Sequence, residues 1–283
     1  MIDATKLEFT GERFTPECVR EMAYEHWHRY AWAATHVAGN RVLDAACGEG
    51  YGSYLLSQSA SRVFGIDLSE ETIAHASARY KSQSLEFVQG DVTDLPLENG
   101  SIDTVVSFET LEHLSTQDEM LGEFRRVLQP EGCLLISSPD RATYSDATGY
   151  DNPFHVRELY RQEFEDLLAK HFPAYRLFGQ KLMFVSALWP LEGRGSALVH
   201  TDFGGRVEHG DTPLFPPLYF LAVASADERH LPDCSKLSLY SDINESVYKH
   251  YNDEIRNHIR AGHLLAERDA EIERLKAKLE QAG

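Results

Sequence analysis

Three aspartates close three short apolar runs: Asp44 in Val42-Leu43-Asp44, Asp67 in Gly65-Ile66-Asp67, and Asp91 in Gly90-Asp91-Val92. Between the first two lies Cys47-Gly48-Glu49-Gly50-Tyr51-Gly52, a turn rich in glycine that opens a helix. Glycines at 48, 50 and 52 let the backbone reverse sharply and approach a ligand where a Cβ would clash. A carboxylate placed about 20 residues beyond such a turn can accept hydrogen bonds from ribose hydroxyls. Asp91 is placed for the exocyclic amine of an adenine. A glycine-rich turn alone is shared with dinucleotide-binding proteins, so its neighbours must decide. The three acids suit a ligand that is zwitterionic or cationic and lacks phosphate.

A second constellation is Glu109-Thr110-Leu111-Glu112-His113. On a helical turn, positions i, i+3 and i+4 share a face, so Glu109, Glu112 and His113 can converge on one ion. Two carboxylates and an imidazole suit Mg²⁺ or Mn²⁺, with Zn²⁺ or Fe²⁺ also open. His155, in Asn152-Pro153-Phe154-His155, is a candidate fourth ligand. The alternative is that Glu109 touches the bound ligand, Glu112 is solvated, and His113 caps the turn or acts as a base. Toward the N-terminus, Thr10-Gly11-Glu12-Arg13-Phe14 and Tyr24-Glu25-His26-Trp27-His28-Arg29-Tyr30 gather histidine and aromatic residues before the core. Aromatic faces stack on sugars, although packing is the stronger expectation for Trp27 and Tyr30.

These residues need a scaffold that brings strand ends together. Short apolar runs at 41–46, 62–67, 85–89, 102–108 and 132–138 alternate with helical patterns near 51–60, 69–80 and 117–128. Such spacing demands crossover connections, hence a parallel sheet with helices on both faces. Gln129-Pro130-Glu131-Gly132 marks a helix stop and a turn. A further helix is expected at 156–171, and the runs 175–187 and 217–225 can close the sheet as an antiparallel pair. Residues 188–215, rich in Gly and Pro, read as a surface insertion. The Glu109–His113 turn then follows the fourth strand at the carboxyl edge, where open α/β sheets bind ligands.

The 283 residues carry 27 Lys+Arg against 45 Asp+Glu, a net charge of −18 that repels phosphate backbones and anionic membranes. No nucleic-acid partner is expected. Cys18, Cys47, Cys133 and Cys234 show no paired spacing, which suits a reducing compartment. No apolar run is long enough for a transmembrane segment or a signal peptide, so a cytoplasmic location is expected. In the tail, Ile272, Leu275 and Leu279 fall at steps of three and four, as in a coiled-coil seam. A solvated helix, a dimerisation helix and a linker into a further domain all remain open there.

The series VLDAACGEGYG, VFGIDLS, VQGDVTDLP, IDTVVSFETLEH and RVLQPEGCLLISSP resembles the class I S-adenosylmethionine-dependent methyltransferases. The resemblance implies a Rossmann-like α/β fold, a seven-stranded and mostly parallel sheet flanked by helices, followed by the helical tail. It implies S-adenosylmethionine as cofactor, with Asp44, Gly48, Gly50 and Gly52 at the methionine end, Asp67 at the ribose, Asp91 and Val92 at the adenine, and Leu68 and Phe108 also among the cofactor-binding residues. Arg13 is a candidate partner for the cofactor carboxylate. The E-x-x-E-H turn with a distant histidine is similar to the metal site of small-RNA 2′-O-methyltransferases and to a turn in ubiquinone-type O-methyltransferases. That similarity touches Glu109, Glu112, His113 and His155, and implies a divalent metal, Mg or Mn, with His113, His155 and Glu112 in the chemistry.

The segments GERFTPE, YEHWHRYAWA, FETLEH, SSPDRATYSD and FHVRELYRQEF resemble methyltransferases of bacterial surface-glycan clusters. That resemblance implies O-methylation of a sugar hydroxyl in a glycan or glycolipid acceptor, and a homodimer or glycosyltransferase partner engaged through the tail. The competing readings are a small-molecule or quinone-precursor O-methyltransferase and a non-catalytic scaffold. The expected organisation is an N-terminal helical lid at 1–40, a methyltransferase core at 41–228, and the tail at 229–283.

Overall fold

The computed structural model describes residues 21–188, 191, 198–202 and 204–282. Its strands are β1 (Arg41–Ala45), β2 (Arg62–Asp67), β3 (Leu85–Gln89), β4 (Ile102–Ser107), β5 (Leu128–Pro139), β6 (Ala174–Gln180), β7 (Val199–Asp202), β8 (Val207–Gly210) and β9 (Tyr219–Ser225). Its helices are α1 (Glu21–Ala34), α2 (Tyr51–Leu56), α3 (Glu70–Arg79), α4 (Gln117–Val127), α5 (Arg161–His171) and α6 (Ser246–Ala282). Seven strands form one sheet in the order β3-β2-β1-β4-β5-β9-β6. β1 to β5 pair in parallel, and β9 inserts antiparallel to both β5 and β6. The expected Rossmann-like sheet, with its antiparallel closing pair, is therefore present.

Alternation along the strands builds two cores, because successive side chains point to opposite faces. Leu43, Val105, Leu134 and Ala222 join Phe124 of α4 and Phe164 and Leu168 of α5 on one face. Their neighbours Val42, Val106, Leu135 and Val223 join Tyr30 and Ala33 of α1 and Leu56 of α2 on the other. Strands buried on both sides read as continuous apolar runs, which is why the sequence pattern locates them. The sheet order reverses between β1 and β4, and the crevice at their carboxyl ends is where the chemistry-bearing residues gather.

Several boundaries differ from expectation for local reasons. α5 begins at Arg161 rather than near 156, because the N–H groups of Val156 and Arg157 both donate to the Glu112 carbonyl, at 2.8 and 3.0 Å. Glu163 then caps the helix by accepting from the Tyr160 N–H at 3.0 Å. β5 is longer than the 132–138 run: Leu128 already pairs with Ile102, and the 129–132 turn is an irregularity before Cys133 pairs with Thr104. Part of the 188–215 segment is ordered as the β7–β8 hairpin. Within that segment, 189, 190, 192–197 and 203 lie outside the described residues, as do Arg13, Cys18 and the Thr10–Phe14 motif. α6 runs 37 residues, with Leu265, Ile272, Leu275 and Leu279 exposed. No helix among the described residues is long and apolar enough to cross a membrane.

Candidate active site

The turn after β1 is a chain reversal built on left-handed backbone: Ala46, Gly48 and Gly50 have φ of 57°, 54° and 95°. The three glycines serve different ends. A Cβ on Gly50 would stand 2.8 Å from Ala76 Cβ and Phe87 Cζ, and one on Gly52 would stand 2.2 Å from the Tyr30 ring. Both are glycine for packing. A Cβ on Gly48 would meet nothing within 4 Å, so this position alone leaves open space above the turn.

Asp67, at the end of β2, holds that turn. Its Oδ2 accepts from the Gly48 N–H and its Oδ1 from the Ser69 N–H, each at 3.0 Å. Leu68 beside it is 68% exposed, an apolar side chain left at the carboxyl edge. Asp91, exposed after β3, accepts from the Thr93 N–H and hydroxyl at 2.8 and 2.7 Å, while Val92 is buried in the core. Gly48, Asp67, Leu68 and Asp91 thus lie along the carboxyl ends of three adjacent strands. An open turn, an anchored carboxylate and an exposed apolar side chain suit an uncharged ribose and adenine.

Asp44 is not on that rim. It is fully buried, with Oδ1 accepting from the Tyr30 hydroxyl at 3.0 Å and Oδ2 from the Ser53 hydroxyl at 2.5 Å. Burial pushes its carboxyl up to about 7 against the lowering effect of those two hydrogen bonds. Tyr30 in turn sits edge-on to Tyr51 and Phe108, so Asp44 orders α1 against the turn. Asp44, expected at the methionine end, is here bonded to Tyr30 and Ser53 beneath the turn. Glu49, a residue the sequence did not single out, is buried too. Its carboxylate takes hydrogen bonds from His75 at 3.0 Å and Tyr80 at 2.7 Å, and pairs with Arg79 at 2.9 Å. The turn is thereby tied to α3. Two glycines around an acid gave the only cue, and it does not say which way the acid points.

The Glu109–His113 segment is not one helical turn. Glu109 has a left-handed φ of 53°, and only Leu111–His113 form a short 3₁₀ turn. The rule that i, i+3 and i+4 share a face therefore fails at its first residue. Glu109 Oε1 accepts from the Ser137 hydroxyl at 2.6 Å and lies 3.6 Å from Arg29 Nη1. Glu112, His113 and His155 do converge: one ligand atom from each lies within 4.8 Å of the others. Val156 and Arg157, bonded to the Glu112 carbonyl, place His155 there, and Gln117 Nε2 bridges Leu111 O and Arg157 O at 2.8 and 2.9 Å.

Both imidazoles are oriented through Nδ1. That of His113 donates to the Phe154 carbonyl at 3.0 Å, and that of His155 to Glu158 Oε1 at 2.6 Å. Nε2 is then the acceptor nitrogen of each ring, and that of His155 accepts from the Asn152 Nδ2 amide at 3.0 Å. A ligating histidine is commonly held this way, by a carbonyl or carboxylate on its other nitrogen. Tyr144 stacks on His155 at a centroid distance of 5.4 Å and reaches Tyr219 at 5.9 Å and Tyr150 at 6.2 Å, an aromatic wall beside the cluster.

Residues 43–136 match the family described as a methyltransferase domain. Over 165 residues the chain is 42% identical to a "probable S-adenosylmethionine-dependent methyltransferase" of Mycolicibacterium smegmatis, covering 57% of this chain and 63% of that one. Residues 43–136 are thus similar to methyltransferase domains, and the curated relatives the chain matches include S-adenosylmethionine-dependent methyltransferases. A fatty-acid O-methyltransferase of M. smegmatis is 35% identical over 130 residues, 45% of this chain and 44% of its own. The fold of the methyltransferase domain and its closing strands is that of a crystallised SAM-dependent methyltransferase of Thermotoga maritima, with a TM-score of 0.52 at 16% identity over 72% of this chain and 90% of that one. The chain spans less than two thirds of the length of the curated relatives named here.

Proposed function

We propose that this chain is an S-adenosylmethionine-dependent O-methyltransferase, assisted by a divalent metal, that methylates a sugar hydroxyl of a bacterial surface glycan. The observation that carries the reading is the convergence of Glu112, His113 and His155 at the carboxyl edge, beside the methyltransferase cofactor turn. One carboxylate and two imidazoles, each ring held through Nδ1, fit Mn²⁺, or Mg²⁺ with added water ligands, with the Asn152 amide giving up its 3.0 Å hydrogen bond to His155 Nε2 as the ion binds. Such an ion supplies Lewis acidity, lowering the pKa of a hydroxyl that is otherwise a poor nucleophile.

The chain's own residues do the remaining work. Methyl transfer is an in-line displacement at a sulfonium carbon, so alignment of acceptor and donor is the main requirement. Glu112, His113 and His155 hold the acceptor end, and Gly48, Asp67, Leu68, Asp91, Val92 and Phe108 line the donor end. The wall of Tyr144, Tyr150 and Tyr219 offers faces on which a sugar ring stacks. The net charge of −18 favours a neutral glycan over RNA, which the same metal chemistry would otherwise serve. A lipid acceptor is the second reading, favoured by the fatty-acid O-methyltransferase relative and by exposed Phe154 and Val156 near the cluster. α6 serves in this reading as the contact to a second copy or to a glycosyltransferase, and the protein works in the cytoplasm.

Treatment with EDTA is expected to abolish methyl transfer to neutral sugars, and Mn²⁺ to restore it. Unchanged turnover would retire the metal and leave His113 Nε2 as the proton acceptor. Glu158→Gln, which removes the carboxylate from His155 Nδ1, is expected to weaken Mn²⁺ binding about 10–100-fold without unfolding the protein. Titration followed by Mn²⁺ paramagnetic resonance reads that change. A screen of neutral sugars against fatty acids and catechols separates the acceptor classes.

A further inference from the structure

Arg29, on α1, has a side chain only 1% exposed, and it is held on three sides. Nη1 donates to Gln180 Oε1 at 2.8 Å, Gln180 Nε2 donates to the Glu25 carbonyl at 3.0 Å, and the guanidinium carbon lies 4.8 Å from the Tyr219 ring centroid. Nε and Nη2 are buried and have no hydrogen-bond partner among the described residues. These two N–H groups form one edge of the guanidinium, the parallel fork that matches a carboxylate with two hydrogen bonds. Buried donors of a permanent cation are normally satisfied, so a fork left open in a fixed side chain marks a ligand that is still to arrive.

Glu109 supplies the opposite charge. Its carboxylate is fixed by Ser137 and stands 3.6 Å from Arg29 Nη1, beyond hydrogen-bond length, so the two charges face each other without being locked together. Their place in the fold is specific. Tyr30, the next residue along α1, lies on Gly52 and bonds Asp44, and Asp44 pairs in register with Val106 of β4, three residues before Glu109. The pair therefore flanks the glycine turn on the side away from Leu68 and Asp91, where ribose and adenine are placed.

We infer that Arg29 and Glu109 together receive the amino-acid end of the methyl donor, the Nε–Nη2 edge taking its α-carboxylate and Glu109 its α-ammonium. This rests on reading the domain as S-adenosylmethionine-dependent. It gives Glu109 a role at the donor rather than at the metal, and it needs no contribution from Arg13.

Calorimetric titration with S-adenosylhomocysteine and with 5′-methylthioadenosine, which lacks the amino-acid end, tests the inference without turnover. The wild-type protein is expected to favour S-adenosylhomocysteine, and Arg29→Met to lose about 100-fold in affinity for it while holding methylthioadenosine unchanged. Arg29→Lys keeps the charge but not the fork and should fall between. Glu109→Gln, nearly isosteric, should lose about 10-fold with the same selectivity, and stands if Arg29→Met fails to fold. Equal losses for both ligands, or none for either, would overturn the inference. So would intact S-adenosylhomocysteine binding with a raised KM for an acidic acceptor, which would move the carboxylate to the acceptor. If the wild-type protein binds neither ligand, it is the cofactor reading itself that fails.

Discussion

Gly52→Ala is expected to destabilise the protein by about 1–4 kcal/mol and to weaken S-adenosylhomocysteine binding. Alanine gains about 1 kcal/mol over glycine within a helix, so propensity alone would predict the opposite sign. The added methyl, however, lies 2.2 Å from Tyr30 Cε1 and Cζ and 2.6 Å from Cε2, so it lands on the ring rather than at its edge. Overpacking of this kind costs about 1–3 kcal/mol. Tyr30 cannot simply tilt, because it is wedged between Tyr51 and Phe108 and its hydroxyl donates to Asp44. Moving it strands a buried carboxylate oxygen, at a further cost of about 1–3 kcal/mol.

The control is Gly48→Ala. Its Cβ meets nothing, so the expected cost is about 1–2 kcal/mol for a non-glycine residue at φ +54°. Its effect on ligand binding should nonetheless be large, because the methyl enters the open space above the turn. Thermal melts paired with S-adenosylhomocysteine titration distinguish the two. The expectation is lower Tm and weaker binding for Gly52→Ala, and mainly weaker binding for Gly48→Ala. Equal melting temperatures for Gly52→Ala and wild type would mean that α1 does not close on the turn as described.

The sheet was legible because burial on both faces writes itself into the strands as apolar runs, and the glycine turn because left-handed backbone restricts residue choice. The metal-type cluster was legible in part. His155 could be paired with Glu112 and His113 because all three fall in loops at one sheet edge, and the Glu112 carbonyl completes the link through Val156 and Arg157. Glu109, read as a metal ligand with contact to the bound ligand as the alternative, leaves the cluster because its left-handed backbone redirects the side chain, and neither residue type nor spacing reports that angle. Arg29 escaped for a tertiary reason. Within EHWHRYAWA nothing marks it for burial, and Gln180 and Tyr219, some 150 residues and more away in sequence, pack around it only in the folded chain. Asp44 was rightly singled out as an acid at the turn, but which of its neighbours it serves depends on α1 lying across β1.

That burial leads to the second large expectation, in which Asp44→Asn raises stability increasingly as pH rises. The folded-state carboxyl sits at about 7, held up mainly by loss of solvent, while an unfolded aspartate titrates near 3.9. Between those values the folded state binds one more proton than the unfolded state, so stability falls as pH rises through the window and levels off above about 7. At about 1.4 kcal/mol per unit, the span corresponds to a loss on the order of 4 kcal/mol at neutral pH relative to pH 4. Asparagine resembles the protonated carboxyl at every pH and removes that loss. The Tm difference between Asp44→Asn and wild type should therefore be small near pH 4 and grow toward pH 8, reaching roughly 10 °C. Glu25, whose carboxyl is also pushed up to about 7 by burial, adds a decline of the same sign to both proteins and cancels in the difference. A difference that stays flat with pH would mean that Asp44 is ionised at little cost, with Tyr30 and Ser53 fully compensating its burial. A growing difference would identify the Asp44 charge as destabilising to the fold, and the wild-type residue as one kept for ordering α1 over the cofactor turn.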